Sequence, residues 1–308
     1  MKTKKVEILL ATYNGERYLR EQLDSILEQD YENWVIRACD DASTDGTYEI
    51  LQEYQTKYSD KFIIEKNETG FGSAKKNFMN LIKNSSCDYV MCCDQDDVWL
   101  PNKISLTMQE MKKNEQSNKP ILVHTDLKVV DSELNVLSDS FFEHSNFRKE
   151  FALNEVLIQN FVTGCTMLMN RPMVELMRRV DDCDNILMHD WVASVLATSV
   201  GRVAFVDKPT MLYRQHAINS VGAKKYGLAL FLSKLKEAKM RQSLVDTTVQ
   251  AGEIVKLYQD ILEEEKYQLL YQYSTIWEKS KVQRICFYLK HKVLKKGLPR
   301  QVCQLIVG

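Results

Sequence analysis

The alternation of apolar runs with amphipathic stretches from Val6 to about Ile121 restricts this chain more than any other feature. In order, the segments read VEILLAT, RYLREQLDSILEQ, WVIRACD, TYEILQEYQTKY, KFIIEK, SAKKNFMNLIKN, DYVMCCD, NKISLTMQEMKK and ILVHTDL. The apolar runs read as strands and the amphipathic stretches as helices, a β-α-β-α series. Such a series specifies an α/β fold with a mostly parallel central sheet wrapped by helices, because right-handed crossovers put helices on both faces. Ligands of such folds lie at the carboxyl ends of the strands, so the polar residues that terminate them are the candidates for function.

After Leu127 the rhythm loosens. VVDSELNVLSDSFFEHSNF reads as a turn or excursion, followed by the apolar FVTGCTMLMNR, a short helix after Pro172, a helix opened by HDWVASVLATSVG, a strand RVAFVD and the segment TMLYRQH. From Gly222 onward the pattern is almost entirely helical, which divides the chain into an α/β domain over 1–222 and a helical region over 223–308. The 41 Lys and Arg nearly cancel the 42 Asp and Glu, so nothing global favours a nucleic-acid partner. The opening MKTKKVEILLATYNG breaks into Thr12, Tyr13 and Asn14 too soon for a signal peptide. No run of about 18 uncharged apolar residues follows, and a cytoplasmic location is expected. The 8 Cys lack CxxC or zinc-ligand spacing and read as reduced core thiols, with Cys92 and Cys93 on opposite faces of one strand.

Three acidic clusters fall at or just after strand ends: Asp40-Asp41, Asp94-Gln95-Asp96-Asp97, and Asp190 within MHDW. A single carboxylate at such a place is ordinarily a helix cap or loop anchor, and Asp45 in ASTDGT reads that way. Adjacent carboxylates repel and need donors or a cation. Magnesium-type cations take oxygen ligands, commonly one or two carboxylates plus substrate phosphate, and an extended chain puts Asp94 and Asp96 on one side. A solvated acidic turn ahead of the helix after Pro101 is the alternative reading of the same run.

These residues resemble the inverting family 2 glycosyltransferases with the GT-A nucleotide-sugar-binding fold, over about residues 5–220. ATYNGERYLREQLDSILEQ is similar to the family's opening strand and helix, CDDASTDGT to its Asp-Asp-x-Ser-x-Asp-x-Thr element, and CDQDDVWLPNK to its metal motif. The resemblance implies a divalent metal, Mn or Mg, and a nucleoside-diphosphate sugar donor. Tyr13 matches the position that stacks on the nucleotide base, and Asp41 the carboxylate that accepts from the base imide N–H; Thr12 and Asp40 belong to the same rim. Asp96 matches the metal-holding carboxylate, with Asp94 the first member of the Asp-x-Asp pair on the nucleotide side and the role of Asp97 open. Asp190 takes the place of the general base, preceded by His189 where Glu is more usual. A base at a helix start is held ionised by the helix N-terminus, which weakens it.

Arg214 and His216, in YRQHAINSVG, suit diphosphate oxygens, and His216 also suits the metal; a surface loop held by its own hydrogen bonds is the alternative. Lys75 and Lys76 are weaker diphosphate candidates. Thr163 and Gly164 read as an acceptor-side wall, with His189 and Trp191 beside Asp190. Within the family, DQDDVWLPNK, NFVTGCTMLMNR, LMHDWVASVLA and LYRQHAINSVG look most like bacterial rhamnosyltransferases that use dTDP-L-rhamnose to build wall or capsule polysaccharide on a lipid-linked acceptor. Hexosyl or N-acetylhexosaminyl transfer from UDP-sugars, a sugar nucleotidyltransferase and a non-catalytic saccharide-binding module are the alternatives. From about Trp277 the chain turns basic and amphipathic, which suggests a peripheral contact with the inner face of the cell membrane; packing on the catalytic domain or on a second copy in a homodimer is the competing expectation.

Overall fold

The computed structural model describes residues 4–181, 183–215 and 234–308. Its strands are β1 (Val6–Thr12), β2 (Trp34–Asp40), β3 (Phe62–Lys66), β4 (Tyr89–Cys93), β5 (Val98–Trp99), β6 (Ile121–Val130), β7 (Val136–Ser138), β8 (Leu168–Asn170) and β9 (Arg202–Arg214). Helices α1 (Glu16–Leu27), α2 (Thr47–Lys57), α3 (Ala74–Asn84) and α4 (Lys103–Asn114) alternate with the first strands. They are followed by α5 (Phe141–His144), α6 (Leu153–Val156), α7 (Arg171–Arg178) and α8 (His189–Val200). The last four are α9 (Lys234–Tyr258), α10 (Glu264–Ser274), α11 (Lys281–His291) and α12 (Leu298–Val307).

All of these strands join one mixed sheet in the order β3-β2-β1-β4-β8-β6-β9-β5, with β7 on β6. The expected parallel series holds for β3, β2, β1 and β4. It then stops, because the short β8 runs antiparallel between β4 and β6. Strict alternation along the strands divides the core: Leu9, Val90 and Cys92 face one side, while Ile8, Leu10, Met91 and Cys93 face the other. Glu7 sits fully buried in β1 and survives there because Arg37 of β2 meets it at 2.7 Å while also reaching Glu65 of β3 at 2.8 Å. Burial alone would raise the pKa of Glu7, but the Ser86 and Cys87 N–H groups and Arg37 hold it below the usual carboxylate range.

The helical region does not stand apart. Leu244, Ile254, Tyr258, Tyr273, Phe287 and Tyr288 are buried in the same cluster as Val174, Met177, Val192 and Leu196 of α7 and α8. Polar ties fix the contact: the Tyr258 hydroxyl donates to the Leu176 carbonyl at 2.7 Å, and Lys266 Nζ to the Ser199 carbonyl at 2.7 Å. The boundary expected near Gly222 lies outside the described residues. Among the described residues, no helix is long and apolar enough to cross a membrane.

Candidate active site

The carboxyl ends of β1 and β2 are tied to each other. Thr12 pairs in register with Asp40, and its Oγ1 donates to Asp40 Oδ1 at 3.1 Å. The Ser43 hydroxyl and N–H also donate to Asp40, at 2.5 and 3.0 Å. Asp40 is therefore fully buried with both oxygens engaged in shaping the loop, and the structure gives it and Thr12 a positioning place behind the rim rather than a surface a ligand could touch. That loop carries Asn14 and Ala42 at positive φ, +47° and +60°; the second is a costly conformation for a residue with a Cβ. The result is an outward Tyr13 ring, 57% exposed. Its backbone is clamped by Gln95, which accepts from the Tyr13 N–H at 2.8 Å and donates to the Tyr13 carbonyl at 2.9 Å.

Asp41 faces a segment the sequence reading passed over. Its oxygens accept from Asn67 Nδ2 at 3.2 Å, Phe71 N–H at 2.5 Å and Gly72 N–H at 3.0 Å. Gly70 and Gly72, both at positive φ, turn these N–H groups inward. Two glycines flanking Phe71 in ETGFGS were the available signal. An ionised carboxylate has about four acceptor positions, so three donors leave one for a further N–H.

Beyond β4 the acids crowd together. Asp94, Asp97 and Cys165 each bring a potential ligand atom within 4.8 Å of the others. Burial, and then the Asp96 charge, push Asp94 up to about 7, and the same causes drive Asp97 well above the ordinary range. Asp97 Oδ1 accepts the Arg214 N–H at 3.1 Å, whereas its buried Oδ2 receives no N–H or O–H. Carboxylates held together against their own repulsion, one with an orphaned oxygen, fit a hard divalent cation such as Mn or Mg. Asp94 and Asp97 would hold it, with Asp96 at the margin of the cluster. The Cys165 thiol is pushed far up by burial and stays protonated. Beneath lies Lys103, fully buried, its Nζ 4.8 Å over the Trp99 ring and lowered to about 8 by burial. Nothing in the run PNK announced a buried ammonium.

Arg214 is corrected by the structure. It is 1% exposed, and its guanidinium turns inward, not toward a diphosphate. Nε donates to the Asp96 carbonyl at 2.8 Å, Nη1 to the Ser132 carbonyl and Nη2 to the Glu21 carboxylate, with the Tyr18 ring 4.4 Å away. The residue clamps the acidic loop against α1 and the β6–β7 turn. Replacing it by Met leaves these acceptors unmet and is expected to cost roughly 2–4 kcal/mol in urea unfolding. A fully stable Arg214→Met protein with lost donor affinity would reinstate the diphosphate role. Lys75 and Lys76 are likewise occupied: Lys75 Nζ donates to the Ile186 carbonyl at 2.6 Å, and Lys76 pairs with Asp184 at 2.9 Å. Both brace the segment entering α8. His216 lies outside the described residues.

Asp190 stands in the first turn of α8. Burial is the largest influence on its carboxyl and raises it to about 7; the N–H groups of Trp191 and Gly164, its own N–H and the Asn160 side chain pull downward without prevailing. The weakening expected from the helix N-terminus is thus outweighed. Asp190 Oδ1 receives no N–H or O–H, and its charge raises Asp94, which places both carboxylates within electrostatic reach across the end of β4.

Its neighbours are structural. His189 is 3% exposed, stacks on Phe78 at 4.2 Å and is kept neutral by burial, with a pKa lowered to about 3. That position corrects any use of it on the acceptor side or as a substitute base. Trp191 is fixed by donating its Nε1–H to the Val156 carbonyl at 2.6 Å. Thr163 opens a 3-10 turn over Gly164–Thr166 by accepting from the Thr166 N–H at 2.9 Å. A Cβ on Gly164 would lie 2.6 Å from His189 Nε2, so only glycine lets this wall approach α8. Gly164→Ala is expected to displace Asp190 and lower transfer on the order of 100-fold with donor binding retained, measured as kcat and donor KM.

A family model described as "Glycosyl transferase family 2" matches residues 7–176. The dTDP-rhamnosyl transferase RfbG of Shigella flexneri is 34% identical over 229 residues, covering 70% of this chain and 74% of its own. Among solved structures, S. aureus TarS 1-349 in complex with UDP aligns with a TM-score of 0.58 at 18% identity, covering 93% of this chain and 75% of that one. The mannosyltransferase PcManGT from Pyrobaculum calidifontis, in complex with GDP-Man and Mn2+, aligns at 0.56 and 14% identity, covering 99% and 86%. At these identities the structural likeness establishes the fold.

Proposed function

The chain belongs to glycosyl transferase family 2, and from that premise we propose that it transfers L-rhamnose from dTDP-L-rhamnose, with inversion, onto a lipid-linked acceptor of a bacterial surface polysaccharide. The choice of sugar is supported by the 34% identity to a dTDP-rhamnosyl transferase over most of both chains. The observation that supports catalysis is the convergence of a half-buried Asp190, with a pKa near 7, and the acidic cluster after β4. Tyr13 offers its ring to the base and Asp41 its remaining acceptor position to the base imide N–H. An acceptor hydroxyl loses its proton to Asp190 as its oxygen bonds to the anomeric carbon. The bond from that carbon to the diphosphate oxygen breaks, and its electron pair leaves with the nucleoside diphosphate. A divalent cation, when bound, neutralises the charge on that leaving group. Arg214 acts upstream of these steps by holding the Asp96 carbonyl with its guanidinium and the Asp97 carboxylate with its backbone N–H.

The test is a panel of nucleotide sugars incubated with the protein and Mn or Mg, reading which nucleoside diphosphate is released. Release of dTDP well above that of UDP from UDP-glucose, UDP-galactose or UDP-N-acetylglucosamine is the expected result. Preference for a UDP-sugar would reassign the donor while keeping the reaction class, and no release from any donor would leave a saccharide-binding module.

A further inference from the structure

The basic tail packs on the catalytic domain by one face and leaves another uncovered. Phe287, Tyr288, Val293, Cys303 and Gln304 are buried, and so is Lys295, whose Nζ donates to the Ile158 carbonyl at 3.1 Å. The expected packing of the tail on the catalytic domain is thus present on this face. Helices α11 and α12 are tied end to end: Lys281 Nζ donates to the Ile306 carbonyl at 2.7 Å, and Gln304 Nε2 to the Val293 carbonyl at 2.8 Å. At about 100° per residue, the side of each helix opposite its buried residues carries Val282 and Leu289 on α11 and Leu298, Val302 and Ile306 on α12. These are the exposed ones, Leu298 at 77% and Val282 at 71%. Apolar residues recurring at intervals of four or seven on an outward face form a stripe rather than scattered exposure.

Charge decides what covers that stripe. No Asp or Glu follows Glu278, while eight Lys and Arg do, of which Lys281, Lys290 and Lys292 are exposed. A second copy laid on this face would oppose like charges. At the α11–α12 connection a cavity of about 350 Å³ is lined by Lys292 and Lys296, with Arg148 paired to Glu155 at 2.8 Å, so the two lysines leave a cationic excess suited to a phosphate headgroup. We propose that the outer face of the α11–α12 pair docks on an anionic lipid bilayer, the apolar stripe entering the headgroup layer and the lysines meeting lipid phosphates. The docking face is anchored to the segment beside the site: the Lys296 N–H donates to Gln159 Oε1 at 3.1 Å, and Asn160 adjoins Asp190. The inference stands independently of which sugar is moved.

Flotation with phosphatidylcholine vesicles, with and without 30 mol% phosphatidylglycerol, tests it on the full chain. The expected result is at least tenfold more protein floating with the anionic vesicles, reduced by added salt. Two variants, Leu298→Gln/Val302→Gln/Ile306→Gln and Lys290→Gln/Lys292→Gln, are each expected to fall to the phosphatidylcholine level while keeping wild-type melting and donor hydrolysis. They act on separate terms, so misfolding of one leaves the other to decide. Absence of flotation, equal flotation from both vesicle types, or undiminished flotation of the folded variants overturns the proposal. So does a concentration-dependent dimer, seen by light scattering, that the apolar variant abolishes: a second copy would then be the occupant.

Discussion

Asp96→Asn and Asp94→Asn are each expected to lower turnover on the order of 1,000-fold while leaving the fold intact. A cation stabilising a leaving diphosphate contributes several kcal/mol to the transition state, and each 1.36 kcal/mol is about a factor of ten. Both side chains are partly exposed, so amide replacement creates no cavity. Asp97→Asn separates metal binding from folding. Asp97 is buried with one orphaned oxygen among like charges, and an amide keeps an acceptor for the Arg214 N–H while removing the repulsion. In chelator, Asp97→Asn should melt at or above the wild-type temperature. With Mn at about 100 times Kd the wild type should gain about 2.7 kcal/mol, and the variant much less. Full activity of folded Asp96→Asn and Asp94→Asn proteins in chelator would falsify the metal role.

What could be read from the sequence was what is local. Strand and helix periods between Val6 and Ile121 are decided by neighbours in the chain, and so is the bunching of Asp94, Asp96 and Asp97 after an apolar strand. Cys92 and Cys93 likewise face opposite cores because alternation needs no knowledge of the rest of the fold. The misreadings concern where a long cationic side chain ends. Arg214, Lys75, Lys76 and Lys103 all carry charges that a sequence offers to solvent or ligand. The backbone carbonyls that meet them, those of Asp96, Ser132 and Ile186, are up to 118 positions away and unmarked by residue type. The antiparallel β8 was hidden for a related reason, being three residues long within the apolar FVTGCTMLMNR. In the tail, the expected packing on the catalytic domain accounts for one face, where Phe287 and Tyr288 turn inward, while Val282 and Leu289 point out.

Asp190→Asn should reduce kcat for transfer by roughly 100- to 10,000-fold with donor KM nearly unchanged, because a general base acts only as the acceptor proton moves. The pH dependence gives the sharper reading. Burial raises this carboxyl to about 7 in the folded protein, against an ordinary value near 4, so the ionised, proton-accepting form prevails only above about 7. As pH falls through 7 the protonated fraction grows, and kcat/KM for transfer should decline about tenfold per unit below it. Asp190→Asn should flatten that limb and leave a low, pH-independent rate. Gly164→Ala should keep a limb but move it, since the wall that buries the carboxyl shifts while the carboxyl remains. His189 cannot produce the limb, because burial keeps it neutral down to about pH 3. A normal kcat with collapsed donor affinity in Asp190→Asn, or an unchanged limb, would make Asp190 a helix-start anchor and send the search for the base elsewhere along the rim.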